Sequence, residues 1–247
     1  DPSRSEDVAV KRAALWGLEV VPERIEAYDI SNLGDEHVTA GMIVVENGRF
    51  LKRDYRSFTI KSTDGANDYG AMRETLESRF SHLSDESGAF ATAPDLILLD
   101  GGEEHLHVAL DVMRKAGVDI PATGMVKDDY HKTRALVSVD GEVSIARERD
   151  VYGFIYRIQE EVHRFTVSKM THAKRKTYRT STLEKINGIG PVKAKLLLSA
   201  LGGLGAVKNA DLETLRTVKG ISDAEAFAVY GYFHPENVQA AQDGDKK

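Results

Sequence analysis

Two strand-like runs in this chain end in aspartate. The first, Arg24-Ile25-Glu26-Ala27-Tyr28-Asp29, alternates in polarity, as a strand with two unlike faces does. The second, Asp95-Leu96-Ile97-Leu98-Leu99-Asp100, is apolar between its ends, as a fully buried strand is, and runs into Gly101-Gly102. The interval between them reads as a hairpin and one helix. Asn47-Gly48, inside the turn Glu46 to Arg49, joins the β-rich runs His37 to Val45 and Phe50 to Ile60, a strong hairpin signal. Met72, Leu76 and Phe80 then repeat at helical spacing, with Asp68 placed to cap that helix. A chain with this order of elements can lay the two aspartate-ended strands side by side and bring their carboxylates together.

The pattern continues as an α/β layer. A short helical lead-in (Val8 to Leu18) precedes the Val21-Pro22 break, and Ser62 to Asn67 and Ser81 to Pro94 read as surface loops. A helix is expected from Glu104 to Ala116 and a strand from Thr123 to Val126. A polar loop between Lys127 and Arg134 follows, then strands at Ala135 to Val139 and Val143 to Ala146. Phe154, Ile155, Ile158, Val162, Phe165 and Val167 predict a long helix over Val151 to Thr171 that also carries Glu160, Glu161 and His163. The order β-β-β-α-β-α-β gives a mixed sheet flanked by helices.

From Thr180 the texture changes. Leu183 to Leu198 and Leu215 to Tyr230 both read helix, tight Gly-Ile turn, helix, with Gly188 and Gly220 in register 32 residues apart. This is an internal duplication able to share one small core. At 247 residues the chain has room for a main domain and an appendage. The expected division is 1–176 for the α/β domain, 177–235 for a small all-α unit and 236–247 for a polar tail.

Composition narrows the function classes. The 41% hydrophobic and 29% charged content is that of an ordinary globular protein, and no apolar run approaches the roughly 18 residues of a membrane span. The chain has no cysteine, which removes disulfides, thiolate metal sites and a cysteine nucleophile and suits a reducing, cytoplasmic setting. It begins Asp1-Pro2-Ser3-Arg4, as a fragment would. A net charge of −6 argues against a nucleic-acid partner, yet from Arg164 to Lys195 nine Lys or Arg stand against one acid, Glu184. That stretch reads either as a solvated helix end and linker or as a face for phosphate.

Asp29 and Asp100 are hard oxygen ligands suited to Mg²⁺ or Mn²⁺, ions that activate water and stabilise phosphoryl charge. A strand-end aspartate can equally form a turn or cap a helix. His163 can complete a metal shell or act as general base or acid, and Asp68 can cap its helix or lean toward the metal. Lys127, His131, Lys132 and Arg134 suit phosphate contacts or simply solubility. In Gly188-Ile189-Gly190 the glycines free backbone N–H groups at a helix start led by Pro191, a nest for a phosphate oxygen, with Lys193 and Lys195 one turn further in. The second turn, at Gly220, lacks the last glycine and is followed by Asp223 and Glu225. It binds phosphate less well or serves packing only.

These residues, in this order, resemble the C-terminal half of the UvrC family, the incision subunit of bacterial nucleotide excision repair. The carriers are Tyr28-Asp29-Ile30-Ser31, Asn67-Asp68-Tyr69, Leu99-Asp100-Gly101-Gly102, Val126-Lys127-Asp128-Asp129 with Thr133-Arg134, Glu161-Val162-His163-Arg164-Phe165, and the paired hairpins. The resemblance implies an RNase H-like endonuclease domain followed by a tandem helix-hairpin-helix domain that grips duplex DNA. It also implies the 5′ incision on a damaged strand. By position, Asp29, Asp100 and His163 become a divalent-metal triad with Asp68 as a further acidic residue, and a histidine in place of a carboxylate favours one tightly held metal over two. Lys127, Arg134, Gly188, Gly190, Lys193, Lys195 and Gly220 become the DNA contacts. Glu103-Glu104-His105 departs from the Lys-Gly-Gln commonly found there, which weakens the DNA contact expected at that point. The family's N-terminal nuclease domain for the 3′ cut and its UvrB-binding region are expected outside this sequence. Two alternatives are a non-catalytic DNA-binding repair scaffold and an RNase or resolvase of the same superfamily.

Overall fold

The computed structural model describes residues 18, 20–32, 38–61, 67–145 and 148–238. The helical lead-in apart from Leu18, most of the Ser62 to Asn67 loop, Ala146 and the end of the tail lie outside them. Contacts divide the chain into Asp1–Thr171 and His172–Lys247.

The first unit is built on one mixed sheet. Its strands are β1 (Arg24–Asn32), β2 (Val38–Glu46), β3 (Arg49–Phe50), β4 (Arg56–Thr59), β5 (Leu96–Leu99), β6 (Ala122–Lys127), β7 (Thr133–Ser138) and β8 (Gly141–Ser144), in spatial order β3-β2-β1-β5-β6-β7-β8 with β4 also on β2. β1, β5 and β6 are parallel, and the remaining pairs are antiparallel. The Asn47-Gly48 hairpin forms as expected, both residues at positive φ (51° and 78°), the twist a two-residue turn needs. The strand expected from Phe50 to Ile60 is interrupted by a 3-10 turn at Lys52–Asp54, so β2 meets it as two short strands.

Among the described residues three helices cover the sheet: α1 (Asp68–Phe80), α2 (Glu103–Ala116) and the first part of α3 (Arg149–Glu184). Side-chain alternation decides which strand residues meet which helix. Ile25 and Ala27 of β1, with Leu96 and Leu98 of β5, pack against Val151, Ile155, Ile158 and Val162 of α3. Tyr28, Ile97 and Leu99 face Met72 and Leu76 of α1 and Leu106 and Met113 of α2. Asp29 and Asp100 continue the parity of Ala27 and Leu98, so both carboxylates project toward the α3 face.

Two expectations are corrected, and the surface loop expected at Ser81 to Pro94 proves to be anchored. Asn67, not Asp68, caps α1: its Oδ1 accepts from the N–H groups of Tyr69 and Gly70 at 3.1 and 3.3 Å, and Asp68 is the first helical residue. α3 runs to Glu184 instead of stopping at Thr171. Its apolar period fades after Met170, but Ala173-Lys174-Arg175-Lys176 are good helix formers and no Gly or Pro interrupts them. The Ser81 to Pro94 loop is tied down: the carbonyl of Ala89 accepts from Arg24, and those of Phe90 and Thr92 accept from Arg79. Arg79 also makes two bonds of 2.9 Å to the Glu26 carboxylate, which takes Arg24 and the Tyr28 hydroxyl as well.

In the second unit, α4 (Pro191–Leu201), α5 (Leu204–Asn209), α6 (Leu212–Arg216) and α7 (Asp223–Phe233) follow the end of α3. The duplication is visible residue by residue in its core. Leu183 and Leu215, Ile186 and Val218, Ile189 and Ile221, Ala194 and Ala226, and Leu197 and Val229 are all buried and all 32 apart. No helix among the described residues is long and apolar enough to cross a membrane.

Glu26 and Arg79 are fully buried. Removing one partner of such a pair leaves an uncompensated charge, so Glu26→Ala should destabilise the chain by about 3–5 kcal/mol, measured by urea unfolding. A loss below 1 kcal/mol would show that the network is not needed for the α1 contact.

Candidate metal and catalytic site

Asp29 stands near the end of β1 and Asp100 one residue beyond β5. The parallel register pairs Tyr28 with Leu99, and the Asp100 N–H donates to the Tyr28 carbonyl at 2.8 Å. α3 carries His163 over this strand pair, and its Nδ1 is 3.2 Å from Asp29 Oδ2. One ligand atom from each of Asp29, Asp100 and His163 lies within 4.8 Å of the others. The Asp29 and Asp100 side chains are each 6% exposed, whereas that of His163 is 55% exposed. The cluster is closed on its carboxylate side and open at the histidine.

Two further groups hold Asp100. Lys127 Nζ donates to Oδ2 at 2.9 Å, and Gln159 Nε2 donates to Oδ1 at 2.8 Å and to the Met125 carbonyl at 3.3 Å. Gln159 is buried and also meets the Thr133 hydroxyl. It was not singled out in the sequence, although a glutamine one turn before His163 on an apolar helix face is the kind of buried polar residue that marks a site. Two glycines make room. A Cβ on Gly41, the β2 partner of Asp29, would fall 2.2 Å from the Thr166 Oγ1, and one on Gly124 would fall 2.5 Å from the Gly101 carbonyl. The first lets α3 approach the sheet beside Asp29, and the second lets the chain leave Asp100 close over β6.

Burial, then the neighbouring Asp100 carboxylate, push the Asp29 carboxyl up to about 8, against a smaller downward pull from Lys127. Two carboxylates so placed cannot both ionise cheaply, and in the ion-free site a proton on Asp29 and the Lys127 ammonium on Asp100 offset them. Hard oxygen donors and one imidazole, with a proton and an ammonium standing where a cation could sit, fit a divalent cation.

Asp68 is exposed in the first turn of α1 and is not part of the cluster. It lies beside His105, whose ring packs on Tyr69 at 4.9 Å. Burial pulls the His105 imidazole down despite the acids Asp68, Asp100 and Glu104 around it.

Comparison with known proteins decides the family. Residues 13–167 match the UvrC RNase H endonuclease domain, and residues 180–229 match the SAM-like helix-hairpin-helix tandem. The chain belongs to the UvrC family. UvrABC system protein C of Clostridium acetobutylicum is 39% identical over 245 residues, 94% of this chain and 39% of its own length. That of Caldanaerobacter subterraneus subsp. tengcongensis is 44% identical over 234 residues, 90% of this chain and 38% of its own. The chain thus spans about two fifths of these curated relatives. The crystal structure of human ENDOV aligns over 70% of this chain and 100% of its own at a TM-score of 0.41 and 9% identity. It adds nothing to the family assignment.

The other UvrC-like positions are dispersed. Lys127 and Arg134 prove to be strand residues, with only Asp128 to Lys132 in the turn between β6 and β7. Lys127 is held by Asp100, and Arg134 pairs with Glu142 at 2.6 Å. In the second unit Gly188 and Gly220 share a left-handed turn (φ 87° and 91°). Gly190 precedes α4 with no side-chain cap, leaving the N–H groups of that helix start open to an anion. The matching start of α7 is closed by a Ser222–Glu225 capping box. Gly220 lies close to Leu196, Lys193 pairs with Glu225 at 2.5 Å, and Lys195 is exposed.

The raised Asp29 carboxyl sets a pH dependence. Below about 8 the group holds a proton that a cation must displace, so Mn²⁺ affinity should rise by about tenfold per pH unit and level off above that value. A folded-state pKa raised above the unfolded one also makes the ion-free protein less stable as pH climbs from about 4 to 8. Asp29→Asn should therefore raise the ion-free melting temperature at pH 8 by about 2–8 °C, the shift that 1–2 kcal/mol gives in a domain of this size, while abolishing stabilisation by Mn²⁺. A variant that melts lower and still responds to Mn²⁺ contradicts this account.

Proposed function

We propose that this chain is a metal-dependent DNA endonuclease that makes the 5′ incision of nucleotide excision repair. The observation that carries the reading is the convergence of Asp29, Asp100 and His163 within 4.8 Å beside two parallel strand ends, in a chain of the UvrC endonuclease family. Asp29, Asp100 and His163 would hold one Mg²⁺ or Mn²⁺, which supplies an activated water and offsets phosphoryl charge when bound. Gln159 fixes one oxygen of Asp100 and so aims the other. Lys127 neutralises that second oxygen in the ion-free site and becomes available to a phosphate oxygen once the carboxylate is otherwise engaged. His163, the exposed member, is the one able to exchange a proton with solvent or substrate.

Damaged duplex DNA is the proposed substrate. The uncapped start of α4 after Gly188-Ile189-Gly190 suits sequence-independent phosphate contact, with Lys193 and Lys195 nearby. Arg134 and Gly220 belong to the same proposed contact set, though the first is engaged by Glu142 and the second lies close to Leu196. Asp68, exposed at the start of α1, is assigned a supporting acidic role. In the full-length protein UvrB is the proposed partner.

On a lesion-bearing duplex already nicked on the 3′ side, Asp100→Asn and His163→Ala should each lower cleavage by about 10²-fold or more with DNA affinity unchanged. Cleavage undiminished in Asp100→Asn would sink the assignment, and wild-type binding without any cutting would favour the scaffold reading.

A further inference from the structure

The C-terminal part of α3 faces α4 within the second unit, and between them lies a cleft of about 560 Å³. Its first wall is the stripe His172, Arg175, Lys176, Arg179, at the i, i+3, i+4, i+7 spacing that an amphipathic helix normally gives to apolar residues. Its second wall holds Lys195 and Ser199 of α4 and the Gly202-Gly203 turn. Among the described residues no carboxylate lines it. Among the described residues Arg175, Lys176, Arg179 and Lys195 have no ion-pair partner, whereas Lys193, outside the cleft, is neutralised by Glu225. A chain of net charge −6 has thus gathered four unpaired cations around one concavity.

We propose that this cleft binds the backbone phosphates of a single nucleic-acid strand, at a site that shares only Lys195 with the contact set proposed at the glycine turns. Cations facing one another across a recess without acids call for a polyanion, and the volume is that of a ligand site larger than one phosphate. Arg175 and Arg179 stand one helical turn apart, about 6 Å along the axis, a step that an extended strand can match phosphate by phosphate. The Leu198 side chain and the glycine turn give sugars and bases an apolar surface, and Tyr178, 67% exposed beside Arg179, offers a ring for stacking. A duplex is a stiff convex cylinder that meets protruding turns more readily than a recess. Only the choice of nucleic acid over another polyanion rests on the nuclease reading.

The test is binding of single-stranded oligothymidines of several lengths to the full 247-residue chain in EDTA, followed by fluorescence anisotropy at several salt concentrations. Without divalent metal, the result is independent of whether Asp100→Asn abolishes cutting. The triple variant Arg175→Ala, Lys176→Ala, Arg179→Ala should bind about 10- to 100-fold more weakly at 0.1 M salt, with a salt slope lower by about 2, since each cation contributes about 0.7 for single strands. The control Lys174→Ala, Lys185→Ala, Lys208→Ala removes equal charge outside the cleft and should lose far less. Replacing Arg175, Lys176 and Arg179 by Gln retains more of the side-chain length and should repeat the loss if charge carries the contact. Equal losses in the cleft and control sets, or an unchanged slope in the cleft variants, would overturn the proposal. Displacement of the oligonucleotide by inorganic phosphate at matched phosphate concentration would also overturn it, by showing a small-anion site.

Discussion

The parallel ladder between Ile25–Tyr28 and Leu96–Leu99 places two carboxylates where neither would choose to be. It ends with the Asp100 N–H on the Tyr28 carbonyl, so Asp29 and Asp100 leave adjacent strands at the same level and on the same face. Like charges about 4 Å apart in a partly buried setting repel by on the order of 4 kcal/mol. The surrounding structure answers that repulsion in pieces: a proton retained on Asp29, the Lys127 ammonium and Gln159 amide on Asp100, and His163 against Asp29. Gly41 and Gly124 are part of the same solution, because any side chain there would push α3 or the Gly101 backbone away from the pair.

The scaffold that holds this pair is reinforced on the opposite face. Arg24, Glu26 and Tyr28 alternate with Ile25, Ala27 and Asp29, so β1 sends its polar network toward α1 and its metal-type carboxylate toward α3. Arg79 and the loop carbonyls that bind it tie α1 and residues 89–92 to the strand that bears Asp29. The position of Asp29 thus depends on contacts made through both faces of one strand.

Much of this is legible in the sequence because it depends on local periodicity. The alternation of β1, the apolar β5, the Asn47-Gly48 turn and the helical spacing around His163 each specify an element, and together they bring three residues to one place. The 32-residue repeat of the hairpins survives into the core as matched pairs such as Leu183 with Leu215. What was missed depends on tertiary contact. Nothing local says that Lys127 will leave a loop role to bond Asp100 or that Gln159 will hold its other oxygen; the Asn67 cap, by contrast, is a local bond to Tyr69 and Gly70, and two adjacent residues able to cap left the choice between them open. The extension of α3 has a different reason: an apolar period reports burial, and after Met170 the periodic face of α3 is made of basic residues, which leaves no apolar period to read.

The central claim is that Asp29, Asp100 and His163 form one divalent-metal site. Crystals of the chain soaked in Mn²⁺, with anomalous scattering collected at the manganese edge, test it directly. The account predicts one ion coordinated by all three side chains, with Lys127 displaced from Asp100. Saturating Mn²⁺ with no peak between them, or an ion seated on other residues while Lys127 and Asp100 remain paired, would contradict it.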